Sequence, residues 1–197
     1  NLPPNKCELL RLPGNNNHVV DKTKKEFRKI WKLNEKQIYF LHSGKLPEGK
    51  KTIELIKAVE FLDAKLIICG SITGNGSQIL EDLIRITSNV EYKGWVNPNQ
   101  LRELIKACDA LVQPGTLSNT FVEAVCIGTP LILANSPMAR DLICANNGII
   151  LKNTVTPENI KQALTNFIIN KDEFQTSAKD PVSIFNYKTI SKQTLEI

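Results

Sequence analysis

The sequence predicts an α/β fold: a Rossmann-like, doubly wound parallel sheet covered by helices on both faces. From residue 38 onward, short apolar runs alternate with stretches whose apolar residues recur at helical spacing. Such alternation is typical of right-handed βαβ units, which place their strands parallel in one sheet. The length of 197 residues allows one sizeable domain of this kind and not two.

Six apolar runs are the candidate strands: residues 38–42, 65–69, 90–92, 110–112, 131–133 and 148–151. Two helical faces are clear between and after them. The first face consists of Leu101, Leu104, Ile105 and Cys108, and the second face consists of Ile160, Ala163, Leu164, Phe167 and Ile168. Residues 1–20 have the composition of an irregular lead-in, and the apolar spacing after Pro181 predicts a C-terminal helix.

The composition is that of an ordinary globular protein, with 42% hydrophobic and 23% charged residues. No apolar run approaches the length of a membrane span, and nothing resembles a signal peptide, so we expect a cytoplasmic protein. The chain begins at Asn1, and its only methionine is Met138. We therefore expect it to be a fragment or a processed product.

The cysteine and histidine content argues against disulfides and against a metal site. The five cysteines are scattered without a Cys-x-x-Cys pair, which indicates core thiols in a reducing compartment. Only His18 and His42 are available as imidazole ligands, and the sequence contains no Asp-x-Asp. We expect a metal-independent site without a cofactor.

A basic cluster marks one predicted helix near the N-terminus. It contains Lys22, Lys24, Lys25, Arg28, Lys29 and Lys32. Phe27, Ile30 and Trp31 lie between these cations, so the pattern predicts an amphipathic surface helix with a solvated basic face. Contact with anionic lipid at the cytoplasmic membrane face, or with a polyanion, is the alternative. The chain lacks the aromatic and basic interleaving of a nucleic-acid platform.

Residues 109–130 form the most informative stretch. They predict a buried strand, a turn of small polar residues and a buried helix that ends at a glycine. The N-terminus of such a helix offers unpaired N–H groups and a positive dipole end, which suit a phosphate. Glu123 follows one turn into the helix, where it could accept hydrogen bonds from hydroxyl groups near that phosphate. Phosphate and polyol together indicate a nucleotide or a nucleotide sugar.

The same stretch resembles the donor-binding signature of the retaining glycosyltransferases of family four, which have the GT-B fold. The run Glu-Ala-Val-Cys-Ile-Gly-Thr-Pro from Glu123 matches the second glutamate of that signature and the helix end after it, and Ser118 and Asn119 resemble a common variant of its middle. The first glutamate of the signature would fall at Gly115, in a loop that is shortened here. In the family the second glutamate holds the ribose and the first contacts the transferred sugar. The resemblance thus implies nucleotide binding and does not extend to the sugar contact.

A structural interpretation of Glu123 stays open beside the functional one. Thr120 and Glu123 have the spacing of a capping box, in which a glutamate at the third helical position bonds back to the cap residue.

The turn after the first strand carries two lysines at matching positions. In the resembled family an arginine and, five residues later, a lysine face the donor diphosphate, and Lys45 and Lys50 have this spacing, directly after Gly44. Cations there would stabilise a departing diphosphate in the absence of a metal. The alternative is a solvated turn with ordinary lysines.

Two further turns match the resembled family. The glycine-rich turn at Gly70 corresponds to one that lies close to the donor, and Gly94 and Trp95 correspond to a segment that frames the nucleobase. The structural alternatives are a flexible loop at Gly70 and partly buried packing of Trp95.

Two other enzyme classes fit the sequence less well. The run from Gly44 to Lys51 is close to a P-loop, but Lys51 stands where the magnesium-binding hydroxyl belongs, and no later strand ends in the required aspartate. A serine hydrolase is unsupported because the sequence has no Gly-x-Ser-x-Gly elbow.

The sequence therefore predicts the donor half of a GT-B glycosyltransferase, with residues 1–35 as a lead-in or linker containing the basic helix and residues 36–197 as the nucleotide-sugar-binding domain. Its expected partners are a nucleoside diphosphate sugar and an N-terminal acceptor domain. Besides the residues above, Gly115 and Thr116 are expected to bind the donor, and the amides of Ser118, Asn119 and Thr120 are expected around its diphosphate. The alternative is a non-catalytic nucleotide-binding module.

Overall fold

Six parallel strands form one sheet in the computed structural model, which describes residues 13–15, 19, 21–46, 48–116, 118–152 and 154–195. The strands are β1 (Tyr39–Lys45), β2 (Lys65–Ser71), β3 (Val90–Tyr92), β4 (Ala110–Gln113), β5 (Leu131–Leu133) and β6 (Gly148–Ile150). They coincide with the six apolar runs to within a few residues. The predicted parallel α/β sheet is confirmed.

The spatial order of the strands is β3-β2-β1-β4-β5-β6. The chain therefore builds outward from β1 in one direction and, after β3, returns to build outward from β4 in the other. Phe40 of β1 pairs with Leu66 of β2 on one side and with Ala110 of β4 on the other. In open sheets of this type, ligands bind beyond the carboxyl ends of the strands where the order reverses. The sheet thus places a candidate site between the ends of β1 and β4.

Ten α-helices among the described residues surround the sheet. They are α1 (Lys24–Ile30), α2 (Thr52–Val59), α3 (Ser77–Ile86), α4 (Pro98–Ala107), α5 (Thr120–Ile127), α6 (Pro137–Leu142), α7 (Pro157–Ile169), α8 (Lys171–Ser177), α9 (Val182–Phe185) and α10 (Tyr187–Leu195). Helices α1, α4, α5, α6 and α9 contribute to the core on one face. Helices α2, α3, α7 and α8 contribute to the core on the other.

Aromatic side chains anchor both cores. Phe27 of α1, Phe121 of α5 and Phe185 of α9 are fully buried on the first face. On the second face, the Phe167 ring meets the Phe40 ring edge-on with centroids 5.6 Å apart. Each buried phenylalanine contributes about 1.5–3 kcal/mol relative to its exposed state, so these contacts hold both helical layers to the sheet.

Helix α1 is fastened to the sheet by a buried ion cluster around Asp109. The Asp109 carboxylate accepts hydrogen bonds from Arg28 Nη2 at 2.6 Å, from Lys24 Nζ at 2.5 Å and from the Tyr39 backbone N–H at 2.8 Å. Although burial alone would raise the pKa of the Asp109 carboxyl, Lys24, the Tyr39 amide and Arg28 hold it below its usual range. Arg28 is only 5% exposed, so this cation of the predicted solvated basic face is turned inward. The domain boundary at residue 36 stays a prediction. In the structure, α1 precedes this boundary and packs against the domain that follows it.

The C-terminal region contains two helices where the sequence predicts one. The backbone of Asn186 is extended, with φ −68° and ψ 136°, and separates α9 from α10. Asn186 forms an isolated parallel bridge with Gly14, whose amide donates to the Phe185 carbonyl at 3.0 Å. A Cβ on Gly14 would lie 2.6 Å from both the Val122 carbonyl oxygen and Cys126 Sγ, so this crossing needs glycine. Most of residues 1–20, predicted as an irregular lead-in, lies outside the described residues.

The cysteines that the structure describes carry free thiols. Cys69, Cys108 and Cys126 are buried as predicted, and burial raises the pKa of Cys69 to about 12 and that of Cys126 to about 11. Cys144 differs because its side chain is exposed. Cys7 lies outside the described residues. None of the helices described is long and apolar enough to cross a bilayer.

Candidate functional site

The predicted site residues lie along the carboxyl edge of the sheet. Gly44 and Lys45 end β1, Gly70 lies near the end of β2, and Gly94 and Trp95 follow β3. Gly115, Thr116, Ser118 and Asn119 lie between β4 and α5, and Thr120 begins α5. The edge includes the crevice where the strand order reverses. Parallel strands bring their ends together in this way regardless of sequence separation. The placement is a structural finding, whereas the roles of these residues stay predictions.

The loop after β1 is fastened to the loop after β4. The Thr116 amide donates to the Gly49 carbonyl at 2.9 Å, and Lys50 Nζ donates to the Thr116 carbonyl at 2.7 Å. Lys50 is 7% exposed, and desolvation lowers the pKa of its ammonium group. Lys50 is therefore not an ordinary solvated lysine. Its charge lies where the two loops meet.

Gly115 is closed off by the same contact. A Cβ at this position would lie 2.2 Å from the Gly49 carbonyl oxygen and 2.7 Å from Lys50 Cα. Real side chains do not come so close to backbone atoms, so the position that matches the family's first glutamate has no room for any side chain. The sequence shows that this glutamate is absent. Only the fold shows that the loop after β1 occupies its place.

The His42 side chain links Val112 of β4 to Thr52, which begins α2 after the same loop. Its Nδ1 lies 2.8 Å from the Val112 carbonyl oxygen and must donate to it, so Nε2, 2.9 Å from the Thr52 hydroxyl, accepts. Burial, reinforced by the charge of Lys50, lowers the pKa of His42 to about 4. His42 is thus neutral and structural. The Thr52 hydroxyl, which a P-loop would offer to magnesium, is bonded to it, and this argues against the P-loop alternative.

A cavity of about 270 Å³ opens at the ends of β1 and β2. It is lined by Ser43, Gly44, Lys45, Cys69, Gly70, Ser71, Trp95, Val96 and Leu101. A Cβ on Gly70 would lie 1.8 Å from the Gly44 carbonyl oxygen, so glycine is required where the two strand ends meet. Trp95 is 73% exposed, which contradicts the alternative of a partly buried packing residue. Its indole is available to a ligand because the short segment between β3 and α4 carries it away from the core.

Helix α5 begins with open amide groups. Its first helical residue is Thr120, and its cap residue Asn119 makes no side-chain cap bond. The amides of Ser118, Asn119 and Thr120 have no hydrogen-bond partner in the part of the chain that the structure describes. Open amides at a helix start suit an anion.

The capping-box interpretation of Glu123 is wrong. A capping box requires Thr120 at the cap and Glu123 at the third helical position, but the helix starts one residue earlier. Glu123 instead accepts a hydrogen bond from Arg102 Nη2 of α4 at 2.8 Å. The two side chains are 22% and 15% exposed, respectively. Arg102 escaped the sequence analysis because it belongs to no motif and meets Glu123 only through the packing of α4 on α5.

The sequence also did not identify two buried polar groups at the ends of strands. Gln113 Nε2 donates to the Ser43 carbonyl at 2.5 Å, which orients the amide so that Gln113 Oε1 faces away. That oxygen and the Ser43 hydroxyl are buried without a hydrogen-bond partner among the described residues. Buried polar groups are rarely left unpaired, so a ligand or an ordered water is a natural partner for these two. In the sequence, the sign of a buried polar group was Gln113, a polar residue at the end of an apolar strand.

The described residues contain no group of three or more His, Cys, Asp or Glu side chains that could hold a metal ion. Metal independence stays a prediction.

Residues 23–180 match the family described as glycosyl transferases group 1. The comparison with curated proteins found no match. Among solved structures, the fold is similar to that of a sucrose-phosphate synthase from Thermosynechococcus elongatus, with a TM-score of 0.80, 17% identity and coverage of 94% of this chain and 50% of that one. A glycosyltransferase from Rickettsia africae superposes with a TM-score of 0.82 at 14% identity, covering 99% of this chain and 57% of that one.

A third similar structure was solved with ligands. It is HepE from Anabaena in complex with UDP and glucose, with a TM-score of 0.72, 18% identity and coverage of 88% of this chain and 50% of that one. The chain thus spans about half the length of the solved structures that it matches. Because the family match extends over most of the sequence, from residue 23 to residue 180, the chain belongs to the group 1 glycosyltransferases.

Proposed function

We propose that this chain is the donor-binding domain of a retaining, family-four type glycosyltransferase that uses a nucleoside diphosphate sugar. One observation carries the proposal. At the reversal of strand order, a desolvated lysine, Lys50, meets the loop that leads to the open amides of α5, and Glu123 follows one turn later. A cation, free N–H donors and a carboxylate in this order suit a diphosphate followed by a ribose.

The diphosphate would lie against Lys45, Lys50 and the amides of Ser118, Asn119 and Thr120. Negative charge develops on it as the glycosidic bond to the sugar breaks. Fixed cations and N–H groups stabilise that charge without reorganisation during the reaction, and such groups replace a metal ion. Burial of Lys50 strengthens its interaction with an anion because less water screens it.

The nucleoside would lie along the cavity beside Trp95. Its lining combines the glycines at the ends of β1 and β2 with Val96, Leu101 and an exposed indole, which suit a flat ring. The ribose hydroxyls would donate to Glu123. UDP is the first nucleotide to test, because the similar protein HepE was solved with it.

The acceptor would be held by a second, N-terminal domain, consistent with this chain spanning about half the length of the similar structures. We expect this chain alone to bind a nucleoside diphosphate and to transfer no sugar. We further propose a cytoplasmic enzyme without a cofactor, whose α1 contacts the membrane face through the exposed part of its basic surface.

The experiment is a thermal-shift screen of UDP, GDP, ADP and their sugar conjugates, followed by titration of Glu123→Gln. Binding to the folded state raises the apparent stability with affinity. We expect one nucleotide family to stabilise the protein, and we expect Glu123→Gln to bind that ribonucleotide more weakly but its 2′,3′-dideoxy form as the parent does. No stabilisation by any of these nucleotides would refute donor binding, and equal binding of both forms by mutant and parent would remove Glu123 from the site.

A non-catalytic nucleotide-binding module is the second candidate. The observation that favours it is the closed position at Gly115, which leaves no room for the glutamate that contacts the transferred sugar in the resembled family. Hydrolysis or transfer of the sugar by a longer protein that includes the acceptor half distinguishes the two. Nucleotide binding without any turnover of the bound donor would support the module.

A further inference from the structure

We infer that Arg102 is a positioning residue that orients Glu123 toward the ribose. This inference rests on the proposed function, since it concerns how the donor site holds its nucleotide. The contact that carries it is the 2.8 Å hydrogen bond from Arg102 Nη2 to Glu123 Oε1. It joins α4 to the first turn of α5, the helix whose start forms the proposed phosphate site.

The pair leaves one carboxylate oxygen unused. Oε1 accepts from Arg102, whereas Oε2 has no hydrogen-bond partner among the described residues. Glu123 is 22% exposed, so ligand hydroxyls can approach this carboxylate while Arg102 still holds it. A ribose presents two neighbouring hydroxyl groups, and a carboxylate oxygen accepts from them without moving away from the arginine.

Arg102 is itself held in place. Its Nη1 donates to Asn99 Oδ1 at 3.0 Å, and its side chain is 15% exposed. Helix α4 begins with a capping box between Asn97 and Gln100, which defines where the helix starts. A guanidinium fixed at one terminal nitrogen offers the other in a defined direction. Arg102 therefore restricts the orientation of the Glu123 carboxylate more than a solvated lysine would.

The arrangement also joins the two parts of the proposed nucleoside site. Leu101, the neighbour of Arg102, lines the cavity beside Trp95. The same turn of α4 thus carries Leu101, which lines the proposed nucleobase cavity, and Arg102, which holds the Glu123 carboxylate proposed to bind the ribose. The Arg102 Nε is buried without a hydrogen-bond partner in the described part of the chain. Since an unpaired buried donor costs stability, a tie between two helices does not by itself account for this arginine.

The test compares UDP with 2′,3′-dideoxy-UDP by calorimetric titration of the parent, Arg102→Gln and Arg102→Lys. We expect Arg102→Gln to weaken UDP binding about tenfold, the loss of one well-placed charge-assisted hydrogen bond, and dideoxy-UDP binding less than about twofold. Arg102→Lys should recover part of the preference for UDP, because a single ammonium can still reach one oxygen. Arg85→Gln is the matched control. It removes the 2.8 Å ion pair with Asp82 on α3, and it should leave both affinities unchanged.

A purely structural role for Arg102 predicts equal losses for the two nucleotides, and that result would overturn the inference. Tighter UDP binding by Arg102→Gln would also overturn it, since Arg102 would then compete with the ribose. If Arg102→Gln does not fold, Arg102→Met keeps the buried stem and is measured in the same way. Different results would refute the proposed function itself. These are that the parent binds no nucleoside diphosphate, or that Glu123→Gln keeps the parent's preference for UDP over dideoxy-UDP.

Discussion

Lys50 Nζ lies 2.7 Å from the carbonyl oxygen of Thr116, so a side chain from the loop after β1 holds the backbone of the loop after β4. The two residues are far apart in sequence and meet because β1 and β4 are neighbours in the sheet. This contact places a partly desolvated cation at the point where the strand order reverses. We make four predictions. Two concern the site around this contact, and the others concern Lys51 at the start of α2 and His42 in β1.

Replacement of Lys45 and Lys50 by alanine should weaken diphosphate binding far more than nucleoside binding. Each charge-assisted contact to a phosphate contributes about 1.5–3 kcal/mol, so we expect a loss for UDP of about 10- to 100-fold per contact, and little change for uridine. Titration calorimetry with both ligands measures this. Lys57→Ala, on the exposed side of α2, is the control. Equal losses for UDP and uridine would show that the two lysines do not contact phosphate.

Gly115→Ala should force the two loops apart. The added methyl would lie 2.2 Å from the Gly49 carbonyl oxygen, and backbone on both sides must shift to accept it. We expect unfolding free energy to fall by about 1–3 kcal/mol, as for other overpacking substitutions, together with a loss of UDP affinity.

Gly49→Ala is the matched control for that substitution. It lies on the other side of the same contact, where a Cβ would meet Thr116 Cγ2 at an ordinary 3.5 Å. Denaturant unfolding should place Gly49→Ala close to the parent and Gly115→Ala well below it. Similar midpoints for the two variants would mean that the loops are not closed as described.

Lys51→Gly should stabilise the protein. Lys51 has a φ of 57° at the start of α2, a left-handed conformation that is unfavourable for residues with a Cβ. Relief of this strain should exceed the flexibility gained by the unfolded chain and the loss of the partly exposed ion pair with Glu54, for a net gain of about 0.5–1 kcal/mol. Lys57→Gly, inside the same helix, should instead cost about 1 kcal/mol. Thermal unfolding of both variants checks the opposite signs.

His42 should make stability depend on pH between about 4 and 6.5. Burial lowers its folded-state pKa to about 4, so in this range the unfolded chain binds a proton that the folded chain does not. The stabilisation is therefore fully present above the unfolded pKa near 6.5, and it falls by about 3 kcal/mol as the pH drops toward 4.

The measurement is urea unfolding at several pH values for the parent and His42→Gln. Carboxylates titrate in both proteins, so the difference between the two curves isolates the imidazole. We expect the parent to lose stability relative to the mutant as the pH falls below 6.5. Parallel curves would contradict the buried, neutral state of His42.

The local pattern of the sequence determined most of the fold. Strand β5 was located to the residue because a strand that is buried on both faces needs a continuous apolar run. The helical faces of α4 and α7 followed from apolar spacing, since only one side of each helix meets the sheet. The motif after β4 indicated an anion site because a strand, a polar turn and a helix start are consecutive in the chain.

Contacts between distant segments were decided only by the tertiary structure. The sequence shows Gly115 in place of a glutamate, but the closure of that position depends on the backbone of Gly49 and Lys50, which belongs to another βα unit. Likewise, Glu123 fits both a ribose ligand and a capping residue in sequence, whereas the fold pairs it with Arg102. Local periodicity encodes which residues face the core. It does not encode which side chains meet where two helices or two loops pack together, because that depends on the arrangement of the whole sheet.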